Sequence, residues 1–445
     1  MTLDLNTTFG NAWDEVFHQT VSFHFDPGIE NKAVVLYPGE TFQMLEGFGG
    51  AVTDSAGYVY SLMDETQKRQ LIEAYFSSEG MNYQFIRVPL DSCDFSLEQY
   101  EAMSDPADTA FASFTMGRTE KYILPFLRDI QSYIGRPLEL MLSPWSPPTF
   151  MKTNGRRENG GQLKPEYRAM WAEYLCRYIK EFQDRGFLVR RISLQNEPRA
   201  VQTWDSCIFS AQEQKEFLKD FMAPALARQG LEDVEIFLWD HNKERVYEWM
   251  TEIIDAQTNP LVAGAAFHWY SGDHFEALEL VRRRFPYKKL IMSESCFEFY
   301  KYRNLNPLAA GQVMAHELIG DLNHGMSAFY DWNLLLDEKG GPNYVENYCL
   351  APFLYDTHTK KLLPQLLHKY IEHFSRYITP GSVHIGCSSY TKTVEATAWK
   401  RPDSYVAVVL LNQADTVAPV CLRLNGQVAE LLLHPQSVTT CVIDI

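Results

Sequence analysis

Eight short apolar runs separated by amphipathic helical stretches, with turn-split strands confined to the two chain ends, predict an α/β fold. The predicted architecture is a (β/α)8 TIM barrel with a side antiparallel β-sandwich formed by both chain ends. The expected partition is residues 1–40 as N-terminal strands of the sandwich, 41–360 as the barrel and 361–445 as the rest of the sandwich. A chain of 445 residues has room for a barrel and an appendage, and buries a large core without a staple.

The elements follow in order. Residues 21–25 and 32–37 read as strands, the second closed by Pro38-Gly39 as a turn. The barrel runs are 47–53, 85–90, 139–145, 191–197, 235–240, 263–270, 289–295 and 326–334. Most begin with unbroken apolar residues, as strands buried on both faces do. Between them, large apolar side chains at 167, 170, 171, 174, 175, 178, 179 and 182 keep helical spacing, and Gly186 follows as a stop. Ser210 and Glu213 form a capping box for a helix carrying Phe217, Leu218 and Phe221, which ends at Gly230. Strands at 393–400, 404–412 and 420–424 then precede the Asn425-Gly426 turn.

Composition narrows the function. Asp and Glu number 57 against 40 Lys and Arg, a formal charge of −17, which disfavours phosphate backbones and so nucleic-acid partners. None of the 8 cysteines sits in a CxxC pair, and the N-terminus lacks the basic start and apolar run of a signal peptide, so a cytoplasmic protein with reduced thiols is expected. No apolar run is long enough for an integral membrane segment. Gly47-Phe48-Gly49-Gly50 resembles a phosphate loop, but Val52 stands where the fingerprint needs glycine. No HExxH, Walker, EF-hand or G-x-S-x-G motif occurs, so no metal and no cofactor is expected, and His241 with His268 is not read as a metal pair. The sequence leaves the oligomeric state open.

Functional groups of a (β/α)8 barrel collect at the C-terminal strand ends. Here those ends are Thr53-Asp54, Arg87, Trp145, Asn196-Glu197, Asp240-His241, His268-Trp269-Tyr270, Glu294 and Trp332-Asn333. Glu197 and Glu294 each follow an apolar strand and should project into the mouth. Two carboxylates flanking a glycosidic bond suit its hydrolysis, one giving a proton to the leaving oxygen and the other attacking the anomeric carbon or activating water. The competing reading pairs each glutamate with an arginine to fix the rim. Trp145 and Trp332 could floor a sugar subsite or fill core, and Arg87 could support an ionised carboxylate or form a structural ion pair.

These segments resemble family 30 glycoside hydrolases, in particular the glucosylceramidase-like branch. The shared stretches run from residues 46–54 through Arg87-Val88-Pro89, Ser92-Cys93-Asp94-Phe95-Ser96 and Ser143-Pro144-Trp145-Ser146. They continue through Lys152-Thr153-Asn154-Gly155, Asn196-Glu197-Pro198, His268-Trp269-Tyr270, Ser293-Glu294-Ser295-Cys296, Trp332-Asn333 and Gly340-Gly341-Pro342-Asn343. The resemblance implies Glu197 as acid/base, Glu294 as nucleophile and Asp94, Trp145, Asn196, Trp332 and Asn347 as binders of the sugar. His268 and Tyr270 would line the site near the nucleophile, with Arg87 supporting it. Glu197 is then expected to be protonated in the free enzyme. Gln195 stands where the branch has glutamate, and the loop 199–209 differs from it.

The expected function is that of a retaining exo-β-glycosidase, a β-glucosidase of glucosylceramidase-like type, acting on a carbohydrate or glycoside through a covalent glycosyl-enzyme. A β-xylosidase or an endo-β-1,6-glucanase of the same family, and more remotely a non-catalytic glycan-binding protein, stand as alternatives.

Overall fold

The computed structural model describes residues 1–10, 17–28, 30–301 and 305–445. Parts of the expected sandwich segment 1–40, and residues 302–304 of the expected barrel, lie outside the described residues. The barrel strands are β1 (Gly47–Ala51), β2 (Phe85–Leu90), β3 (Glu139–Pro144), β4 (Leu188–Ser193), β5 (Glu235–Asn242), β6 (Gly264–His268), β7 (Lys289–Glu294) and β8 (Met326–Asn333). Each pairs in parallel with the next, and β8 pairs with β1, closing the barrel. All eight overlap the apolar runs of the sequence, β4 least: it starts at Leu188 and ends at Ser193, sharing only residues 191–193 with the expected run.

The barrel interior is filled, not hollow. Phe85, Met141, Phe237, Ile291 and Tyr330 pack across its lower half. Gly49 on β1 is needed there: a Cβ would lie 2.2 Å from the Phe85 carbonyl oxygen. At the N-terminal end, Arg191 meets Glu46, and Lys289 Nζ lies 2.5 Å from Glu46 and 2.6 Å from Glu235. Arg191 also donates to Tyr330 Oη at 2.6 Å. This ionic cluster plugs the bottom of the barrel.

The helix expected from 167 runs as Arg168–Asp184 behind a short 3-10 turn, burying Trp171, Tyr174, Leu175, Tyr178, Ile179 and Phe182. Ser210 and Glu213 form the capping box reciprocally, and Gly230 caps the far end at φ 68°. Between them the helix widens into a π-helical stretch, Phe217–Met222, which the sequence pattern did not signal. Pro224 follows directly, and a proline denies its turn one N–H donor.

Beside the barrel lies the sandwich, a curled sheet of ten strands among the described residues. Its order is Phe17–Ser22, Thr2–Phe9, Ser437–Asp444, Tyr405–Asn412, Val394–Lys400, Val383–Ser389, Ala33–Met44, Ala418–Leu424, Gln427–Leu433 and His24–Phe25. Neighbours are antiparallel except Ala33–Met44 with Ala418–Leu424. Leu3, Leu5, Val34, Leu36, Val408, Leu410, Leu422 and Ile443 fill its core. Pro38-Gly39 does not end a strand, contrary to the sequence expectation. The strand runs through it to Met44, and its register on Val383–Ser389 jumps between Tyr37 and Thr41. Proline supplies no ladder donor, so the pair is shed as an irregularity while pairing resumes beyond it. Helix Leu366–Ser375, within the segment assigned to the sandwich, packs between helix Pro307–Asn323 of the barrel and strand Ser437–Asp444.

Candidate active site

Arg87 organises the mouth. It sits on β2, fully buried, with its guanidinium 4.9 Å from the Trp145 ring and 5.4 Å from Trp332. It donates to Glu294 Oε2 at 2.6 Å, Asn196 Oδ1 at 2.8 Å, both oxygens of Asp240 at 3.1–3.2 Å and Ser143 Oγ at 3.1 Å. The planar fork of arginine is suited to such a set. Burial alone would lower its pKa, but Asp240 and Glu294 raise it, so its charge is permanent.

Glu294 closes β7 and accepts from Arg87 on one oxygen and from Tyr270 Oη, at 2.9 Å, on the other. Glu197 follows β4 on a turn with φ 46°, its N–H bonded to the Asp240 carbonyl at 2.8 Å. Gln195 Nε2 ties this turn by donating to the carbonyls of Trp145, at 2.7 Å, and Asn196, at 2.8 Å. The glutamine that departs from the branch pattern is thus a backbone brace.

β5 ends in a bulge. Ala266 of β6 pairs with Trp239 but Phe267 pairs with His241, skipping Asp240. Trp239 and Asp240 have φ 73° and 55°. Consecutive strand residues ordinarily face opposite sides; here Asp240 reaches Arg87 inside the barrel and His241 lines the pocket above it. Left-handed residues of this type cost about 1–3 kcal/mol each and concentrate at functional sites.

His268 links the two glutamates. Its Nδ1 is 3.3 Å from Glu197 Oε1 and 4.0 Å from Glu294 Oε1, and its Nε2 is 3.1 Å from Asp240 Oδ1. Burial opposes charge on the ring, but Glu294, Asp240 and Glu197 outweigh it and push the pKa up to about 9. Asp240 is buried too, yet Arg87 and His268 hold its carboxyl far below the ordinary range. Burial likewise raises Glu197, but His241 and His268 outweigh it and hold that carboxyl below the ordinary range. Both histidines favour the charged form of Glu197, and His268 competes with it for a proton, a pull against the protonation expected from the sequence.

Asp94, 6% exposed, goes the other way: burial, then the charges of Glu294 and Glu197, push its carboxyl well above the ordinary range. Asn347 Nδ2 lies 3.3 Å from it. Trp145 and Trp332 stack with ring centroids 5.4 Å apart and form an aromatic wall.

A pocket of about 150 Å³ opens above these groups. Glu197, Glu294, Asp94, Asn196, Asn347 and Tyr270 line it together with both tryptophans. Arg87 and His268 lie fully buried beneath its floor and touch the carboxylates instead. All ten residues singled out from sequence therefore meet in one place. Gln202, Trp204, Asn242, Cys296 and Glu298 also line it and were not singled out as site residues. Trp204 and Gln202 come from the loop after β4 and Glu298 from the segment after β7, where no strand-end rule applies. One ligand atom each of Glu197, His268 and Glu294 lie within 4.8 Å of one another.

Comparison with known proteins agrees with this geometry. Residues 45–378 match the TIM-barrel domain of glycosyl hydrolase family 30, and 381–441 match the β-sandwich domain of that family. The chain is 31% identical to the lysosomal acid glucosylceramidase of Mus musculus, over 87% of this chain and 79% of that protein. It is 24% identical to the endo-1,6-beta-D-glucanase neg1 of Aspergillus fumigatus, over 90% and 85% respectively. The crystal structure of SrfJ from Salmonella typhimurium superposes with a TM-score of 0.96 at 33% identity, covering 100% of both chains. The chain belongs to glycosyl hydrolase family 30, and its barrel and sandwich are those of a glycosidase.

Proposed function

We propose that the protein is a retaining exo-β-glucosidase, with Glu294 as nucleophile and Glu197 as acid/base. One observation carries the reading: oxygens of the two carboxyl groups face each other within 4.8 Å across one pocket. Retaining enzymes hold these groups about 5–5.5 Å apart, and inverting ones leave a wider gap for water. The compact pocket suits one terminal ring. Asn196 Oδ1 is taken by Arg87, which leaves its amide N–H groups for a sugar hydroxyl. Asp94, whose burial and acidic neighbours favour its protonated form, would then donate as well as accept at a second hydroxyl.

The chemistry then runs in two displacements. A bound sugar expels water from above Glu197 and makes its charge less favourable. The proton on His268 Nδ1 crosses to Glu197 Oε1. Glu197 gives it to the glycosidic oxygen while a Glu294 oxygen attacks the anomeric carbon, and the leaving alcohol departs. Arg87 and Tyr270 hold Glu294 in line. Glu197, ionised again, takes a proton from water; the water oxygen attacks the anomeric carbon and frees Glu294. The sugar leaves with its original anomeric configuration, and the proton returns to His268.

Gln202, Asn242 and Glu298 add polar groups to the pocket lining, which supports a hydroxyl-bearing leaving group, a soluble glucoside or short oligosaccharide. Likeness to a lipid-linked glucoside hydrolase and to a 1,6-glucanase leaves the substrate to measurement. The test is a panel of p-nitrophenyl β-glucoside, β-xyloside and a β-1,6-glucan with the product anomer followed by NMR. Faster glucoside turnover with β-glucose appearing first is expected. First-formed α-glucose would overturn the double displacement, a xyloside preference the sugar, and oligomers from the polymer the exo mode.

A further inference from the structure

Cys296 and Cys349 have sulfur atoms 3.3 Å apart, and among the described residues no other two cysteine sulfurs are in contact. They come from facing segments: Phe297–Glu298 pairs with Cys349–Leu350, with Glu298 opposite Cys349. Cys296 is two residues beyond Glu294 and forms part of the pocket wall; Cys349 lies buried behind it. Cys296 Sγ is 3.4 Å from Tyr270 Oη, the hydroxyl that donates to Glu294.

We propose that Cys296 and Cys349 form an oxidisable dithiol in the pocket wall, which a peroxide entering through the substrate opening closes into a disulfide that disables the enzyme. The Cys296 thiolate attacks one peroxide oxygen, the O–O bond breaks, and a sulfenic acid and one water result. Cys349 then displaces the hydroxyl from the Cys296 sulfur; the S–S bond forms and a second water leaves. Two electrons pass from the thiols to the peroxide, and a thiol reductant reverses the bond. A disulfide needs its sulfurs at about 2.0 Å. Closure therefore draws Cys296 toward Cys349, removes the thiol beside Tyr270 and shifts the segment that follows the nucleophile. Burial pushes the Cys296 thiol well up, which makes its thiolate scarce and the first step slow. A sugar in the pocket shields Cys296 and slows it further.

This inference uses the glucosidase reading only for its activity readout. The full chain is treated with hydrogen peroxide and followed by intact mass, thiol titration, peptide mapping and p-nitrophenyl β-glucoside hydrolysis. The expected result is a species lighter by two hydrogens, two fewer titratable thiols and a linked 296–349 peptide. Activity falls at least about tenfold and returns with dithiothreitol. Cys349→Ser, or Cys349→Ala should serine not settle behind the wall, keeps its starting activity within about twofold and loses the reversible inactivation. Absence of the linked peptide overturns the proposal, as does a linked protein of unchanged activity. The mass readout stands even if another substrate proves to be the right one, so the two readings fail separately.

Discussion

At the bottom of the barrel, Arg191, Lys289 and Arg190 meet Glu46 and Glu235, three cations against two carboxylates. At the mouth, Arg87 and His268 face Asp240, Glu197 and Glu294, and Asp94 stands beside them. The residue types are alike. The bottom set has no excess of acid and ties the strands together. In the mouth set four carboxyl groups, Asp240, Glu197, Glu294 and Asp94, outnumber Arg87, His268 and His241, and the set borders a pocket. Excess charge beside a substrate-sized space is what separates a catalytic cluster from a structural one.

Substitutions at the two ends test that contrast. The largest effect is expected for Glu294→Gln, which removes the attacking oxygen's charge: kcat falls on the order of 10⁴-fold, read with p-nitrophenyl β-glucoside, while thermal unfolding stays near wild type. Comparable turnover in this variant would refute the nucleophile assignment. Glu197→Ala comes next. It slows substrates with poor leaving groups about 10²–10⁴-fold but spares dinitrophenyl glucoside, which needs little protonation. Equal loss on both substrates would reject the acid/base role.

His268→Gln addresses the shared proton. The His268–Glu197 pair must carry a proton for the first displacement. In the wild type that proton is present at low pH and is lost as pH rises through about 9. Without the imidazole the proton must sit on Glu197, a weaker site, so the alkaline limb of kcat/KM moves to lower pH. A limb that stays in place would show that His268 only fills space. The smallest effect on turnover belongs to the bottom. Arg191→Met leaves kcat/KM within about twofold but lowers stability by roughly 2–4 kcal/mol, measured by denaturant unfolding, because Glu46 and Glu235 lose a buried partner.

The barrel was legible in the sequence because buried parallel strands leave unbroken apolar runs, and each run's last residues rise into the mouth. That is why Glu197, Glu294, Trp332 and, part-way along its strand, Arg87 could be named from position, whereas the site role of His268 came only with the family resemblance. Asp240 and His241 were visible as a strand end, but not that both turn inward; that depends on a bulge whose two left-handed residues, Trp239 and Asp240, carry no glycine to announce it. The pull of the histidines on Glu197 was hidden for the same reason. One-dimensional spacing placed an acid beside an acid, whereas the fold sets two histidines against it. Gln202, Trp204 and Glu298 escaped notice because loops have no period. Pro38-Gly39 misled because a turn signal inside a long strand is absorbed when pairing resumes on its far side.

Thr2–Phe9 pairs along its length with Ser437–Asp444, and Thr7 Oγ1 meets Thr439 Oγ1 across a separation of 432 residues. On the ribosome, Thr2–Phe9 can pair early with Phe17–Ser22 on one edge, but its other edge waits for Ser437–Asp444, more than 400 residues further along the chain. The barrel must organise in the meantime with its flank bare, and the unpaired edge invites chaperones or stray neighbours. Deleting the strand Ser437–Asp444 should therefore be as damaging to yield as far deeper truncations.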